Sequence, residues 1–187
     1  SFLFLFFFLN VFASDTTSRL LSFQLYKTVT KSDLEERLKK NHVPASLVNA
    51  HYDVNVYDVK YKTCWHDGTC VLASGLYFVP VNYTEPSAQV VYHHGTRVKG
   101  GRSKNLGSEE FVCVGMAVDG YSVLMPDYLG LGYGEKFHLY QMAEPLGQTT
   151  ADMLYAIREL NDSLHISTNE QLFLTGYSEG GYAALAA

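Results

Sequence analysis

No run of Lys or Arg is long enough to track a phosphate backbone, and the formal net charge of -5 is spread along the chain, so nucleic acid is excluded as a partner. No apolar run reaches the roughly 20 residues that a membrane-spanning helix needs; the longest lies between Ser1 and Ala13. Three cysteines do not make a disulfide scaffold, since Cys64 and Cys70 lie close together and Cys113 stands alone in an apolar run. The C-x5-C pair with His66 inside it lacks the second ligand pair of a metal site. Gly130-Leu131-Gly132-Tyr133-Gly134 lacks the G-x-G-x-x-G spacing and the later acid of a dinucleotide fingerprint. There is no internal repeat, and no low complexity beyond the phenylalanine-rich start. No metal or organic cofactor is expected.

What is there is apolar: 47% of residues are hydrophobic and 14% aromatic, enough for one domain with a real core and too many for disorder. The segment from Ser1 to Ala13 reads as the apolar region of an export signal, with Val11 and Ala13 at the usual -3 and -1 positions and a polar stretch from Asp15 to Arg19 behind it. Cleavage after Ala13 leaves a mature chain starting at Ser14. Neither an initiator Met nor a basic n-region precedes Ser1, so the n-region is expected to be missing. The expected location is therefore extracellular, with no stable membrane insertion after cleavage. A Cys64–Cys70 disulfide suits that compartment, as do the sequons Asn82-Tyr83-Thr84 and Asn161-Asp162-Ser163.

Ser32 and Glu35 form a capping-box pattern ahead of Leu34 and Leu38, predicting a short amphipathic helix that stops before Pro44. Val54 to Tyr61 and Val71 to Val79 read as strands around an Asp67-Gly68 turn, an antiparallel hairpin that a Cys64–Cys70 bond would pin. After Pro86 come three short buried-strand runs, Gln89 to His93, Tyr121 to Met125 and Gln171 to Thr175. Between them lie helical stretches from Ser108 to Val118, apolar at Phe111, Val112, Gly115 and Val118, and from Thr150 to Leu160, apolar at Met153, Leu154, Ile157 and Leu160. Asp152 reads as an acid in the first turn of the second helix. Crossovers of that length imply a mostly parallel sheet led by the hairpin.

Gly176-Tyr177-Ser178-Glu179-Gly180 follows the predicted strand directly and precedes a helix-forming stretch. A serine on so sharp a turn sits in a strained backbone and projects into solvent, while the flanking glycines let neighbouring chain pass close. The helix behind it aims its N-terminus, and the N–H of Glu179, at the oxyanion of an acyl-transfer intermediate. The alternative is an ordinary N-cap. Tyr92-His93-His94-Gly95-Thr96 ends the first parallel strand, where a second oxyanion donor is expected from the N–H of Thr96, with Gly95 second. His93 and His94 precede Ser178, the wrong chain order for its catalytic histidine, and read as residues that shape the loop. Asp127 either lines the cleft or ties down the glycine-rich turn behind it, the latter being preferred. The Glu179 side chain has no assigned role.

Ser74-Gly75 with Pro80, the Tyr92 to Thr96 loop, Pro126 to Gly132, His138 and Gly176 to Gly181 together resemble the secretory lipase A-like branch of the α/β-hydrolases, from about Cys70 onward. The resemblance implies that fold, incomplete at the C-terminus, and hydrolysis of carboxylic esters from short acyl esters to triacylglycerols. It divides the chain into a signal over 1–13, an N-terminal helical extension over 14–50 and the N-terminal part of a hydrolase domain over 51–187. Family members carry an Asp and a His well downstream of the nucleophile; the sequence ends at Ala187 with neither, and without a cap. The stretch alone is therefore expected to be inactive and to leave an apolar sheet edge exposed. A serine peptidase or acyl-peptide hydrolase uses the same parts, and a non-catalytic protein could keep the fold.

Overall fold

Residues 18–44, 48, 50–98 and 106–187 are described by a computed structural model of the chain; the expected signal segment lies outside them. In order, the chain forms β1 (Leu20–Val29), α1 (Lys31–Lys40), β2 (Val54–Cys64), β3 (Cys70–Pro80), β4 (Ser87–His93), α2 (Ser108–Ala117), β5 (Ser122–Pro126), α3 (Ala143–Leu164), β6 (Thr168–Gly176) and α4 (Glu179–Ala186). The strands make one sheet in the order β1-β2-β3-β5-β4-β6. Pairing is antiparallel from β1 through β3 to β5, and parallel from β5 to β4 and from β4 to β6. This is the α/β-hydrolase arrangement: a mixed sheet with a parallel half, led by an antiparallel hairpin.

Period-two alternation sorts the sheet into two faces. Val54, Val56, Leu76, Phe78, Val90, Tyr92, Val123 and Met125 share one core with Cys113, Val114 and Ala117 of α2, while Val59, Tyr61, Tyr77, Val91 and Leu124 share another with Met153, Ala156, Ile157 and Leu160 of α3. At the turn, Asp67 Oδ1 accepts from the N–H and hydroxyl of Thr69 at 2.9 and 2.6 Å, and Gly68 takes φ +82°. Strand β6 ends the sheet, with Leu172 46%, Phe173 50% and Leu174 39% exposed.

Several elements depart from expectation. Among the described residues of 14–50 only α1 is helical; ahead of it β1 pairs with β2 through two register shifts. The cap of α1 is Thr30, not Ser32: Thr30 Oγ1 accepts from the N–H of Asp33 at 3.1 Å, and Asp33 Oδ2 accepts from the N–H of Thr30 at 2.9 Å. Helix α2 buries Cys113, Val114 and Ala117 and exposes Val112; Phe111 instead lies 3.8 Å beneath the Arg37 guanidinium of α1. Helix α3 begins at Ala143 and carries Pro145 in its first turn, where the missing N–H has no helical partner to lose. Asp152 is therefore a mid-helix residue. It is buried, and its oxygens accept from Arg19 Nε at 2.9 Å and Gln148 Nε2 at 3.0 Å.

Candidate active site

The turn from β6 into α4 carries Ser178 at φ 55°, ψ -117°, a backbone conformation that a residue with a Cβ adopts at a cost. Its side chain makes no cap hydrogen bond to α4, so the geometry gives no support to an ordinary N-cap. The glycines explain how the strain is held. A Cβ on Gly180 would run into the His93 carbonyl oxygen, and one on Gly176 into the Gly180 carbonyl. The elbow is thus wedged against the end of β4, and the Tyr177 N–H donates to His93 O at 3.1 Å. Ser178 remains exposed, with Tyr177 beside it and Glu179 buried below.

The neighbouring loop is anchored by acids from the first turn of α2. Glu109 Oε1 accepts the Gly95 N–H at 2.8 Å and lies 3.3 Å from the Tyr92 hydroxyl, while Arg97 reaches Glu110 at 2.9 Å. Burial, reinforced by the Glu109 charge, pushes the Tyr92 phenol up to about 12. The Gly95 N–H, expected as the second oxyanion donor, is thus bonded to α2. The N–H groups of Thr96 and Glu179 donate to no acceptor among the described residues, nor does any of these residues hydrogen-bond the Ser178 hydroxyl.

His93 and His94 are fully buried. His93 Nδ1 faces Thr175 O at 3.2 Å and Nε2 faces Thr150 Oγ1 at 2.9 Å; His94 lies between Gly95 O at 2.7 Å and Asp127 O at 3.2 Å. Desolvation holds the His93 imidazole down at about 4 and lowers that of His94 as well. Both tie the loop to its surroundings. Asp127 ties the turn: its Oδ2 accepts from Ser74 Oγ at 2.6 Å, and the same Ser74 oxygen accepts the Tyr133 N–H at 2.9 Å. Glycine at 132 is needed here, because a Cβ would meet the Asp127 carboxylate.

One pair escaped the sequence. His138 Nε2 lies 2.6 Å from Glu179 Oε1, joining residues 41 positions apart, with the Glu179 side chain wholly buried. No periodicity pairs these residues; His138 entered only through the family resemblance. Cys64 and Cys70 face each other as register partners, both as free thiols. Among the described residues no three His, Cys, Asp or Glu side chains cluster as metal ligands, and no helix is long and apolar enough to cross a membrane.

Residues 99–187 match the model of the secretory lipase family. Over that stretch the chain is similar to secretory lipases, and its fold is that of an α/β-hydrolase. A hydrolase from Legionella pneumophila is similar to it, with 33% sequence identity and a TM-score of 0.82 over 90% of this chain and 46% of its own. The rice cell wall degrading esterase LipA of Xanthomonas oryzae is 26% identical, with a TM-score of 0.76 over 90% and 44%. Candida antarctica lipase A, at 14% identity and a TM-score of 0.57, shares the fold. The secretory lipase-like chain thus spans less than half the length of these solved relatives.

Proposed function

We propose that the complete protein is a serine esterase or lipase, exported from the cell, that cleaves carboxylic esters through an acyl-enzyme on Ser178. The observation carrying this reading is Ser178 itself, exposed and held at positive φ where β6 turns into α4, directly ahead of the Glu179 N–H. Ser178 Oγ attacks the ester carbonyl carbon, and its proton passes to a histidine expected, with its partner acid, beyond Ala187. The carbonyl oxygen becomes an oxyanion facing the two N–H donors. As the acyl carbon–alcohol bond breaks, the same histidine protonates the departing alkoxide, and water then releases the acid by the reverse sequence.

Reading the transcript past the Ala187 codon, then assaying the encoded protein, tests this. An Asp and a later His near strand ends, together with p-nitrophenyl ester hydrolysis lost in Ser178→Ala, are the expected results. Residues 14–187 alone are expected to be inactive. Hydrolysis that survives Ser178→Ala, or a preference for peptides over esters, overturns the assignment.

A further inference from the structure

Glu179 serves the site twice. Its backbone N–H heads α4 beside Ser178, while its side chain turns inward, wholly buried, with Oε1 2.6 Å from His138 Nε2 and Oε2 without a hydrogen-bond partner among the described residues. A carboxylate half-satisfied in the interior is held by its single strong contact, so the position of the Glu179 main chain depends on where His138 stands. His138 is itself located by stacking on Tyr128, with ring centroids 5.6 Å apart and planes 12° from parallel. Tyr128 takes a left-handed φ of 66°, donates its hydroxyl to His94 O at 2.8 Å and packs on the His94 ring at 4.3 Å. His94 precedes Gly95 and Thr96. One continuous set of contacts therefore runs from Glu179, through His138 and Tyr128, to His94, two residues ahead of Thr96.

We infer that the buried His138–Glu179 pair, braced by Tyr128, is a positioning element that sets the Glu179 and Thr96 N–H groups at the spacing a tetrahedral oxyanion requires. His138 touches neither the Ser178 hydroxyl nor a free N–H donor, and acts through Glu179. This inference rests on the Ser178 reading above. Donors fixed in advance favour the transition state over the ground state, so displacing them lowers kcat and leaves KM nearly unchanged.

The test uses the full-length protein and its His138→Ala and His138→Gln variants, the glutamine keeping an N–H donor toward Glu179. Expected are a kcat on p-nitrophenyl acetate about 10- to 100-fold lower in His138→Ala, a KM within about twofold and a parallel loss of affinity for a trifluoromethyl ketone, with most of each recovered in His138→Gln. Independently of turnover, the Glu179 backbone amide resonance should shift in His138→Ala and return in His138→Gln. If the alanine variant does not fold, His138→Met, of similar size but without a donor, replaces it. An unmoved amide, a kcat within about twofold of wild type, or a glutamine variant no better than the alanine overturns the inference. Hydrolysis that persists in Ser178→Ala sinks the nucleophile reading instead, and the amide resonance still decides the pair.

Discussion

Mild acid should destabilise this protein through His93. Its imidazole is buried between Thr150 of α3 and Thr175 of β6 and is held at about 4, against 6.5 when exposed. The folded state thus resists a proton that the unfolded chain accepts. With the folded value depressed, the contribution is fully present above the unfolded value and is lost as pH falls from 6.5 toward 4. Stopping near pH 5 keeps most carboxylates ionised and takes the chain through about 1.5 units of that window, which at about 1.4 kcal/mol per unit amounts to about 2 kcal/mol. His94, lowered in the same direction, adds to the loss. Urea unfolding of the full-length protein near pH 7 and near pH 5 measures it, with His93→Gln as the control whose loss over that interval should be smaller by about 2 kcal/mol. Equal losses in the two proteins would refute the reasoning.

Gly180→Ala forces a methyl into the His93 carbonyl, so it should cost about 1–3 kcal/mol in thermal unfolding and abolish ester hydrolysis, whereas Gly115→Ala, where a Cβ meets nothing within 4 Å, should do neither. Arg19→Ala leaves the Asp152 carboxylate without its cation in the interior; because Arg19 is partly exposed, the loss in urea unfolding should be about 3 kcal/mol, at the low end for a broken buried pair. Glu109→Ala frees the Gly95 N–H and unhooks the loop after β4 from α2; if that loop supplies the proposed second donor, kcat should fall about tenfold at unchanged KM, a split that steady-state kinetics on a short ester reads directly.

Features that repeat locally were legible. Burial in β2 alternates except at Asp58-Val59, and the turn into α4 is legible because its glycines, serine and following helix are contiguous. Strand β1 was hidden by its own irregularity: two register shifts place Leu20, Phe23, Tyr26 and Val29 inward at every third position, which breaks the period of two. Pro145 and Gly147 concealed the first turns of α3, although proline is harmless there. Partners of the buried charges were invisible for a different reason. Asp152 finds Arg19 across 133 positions and Glu179 finds His138 across 41, and such pairs are selected by the finished fold. The bond from the Gly95 N–H to Glu109, across 14 positions, was hidden for the same reason.

The fastening of Ser18 to Leu20 has a consequence for truncation. Glu159 accepts from the Ser18 hydroxyl and from the N–H groups of Arg19 and Leu20, next to the Arg19–Asp152 pair, so this segment is fastened to the middle of α3. Exopeptidase trimming that proceeds past Ser18 strips the cation from a buried acid, which limits how far the N-terminus can be shortened without loss of stability. An affinity tag has to be joined ahead of that same residue.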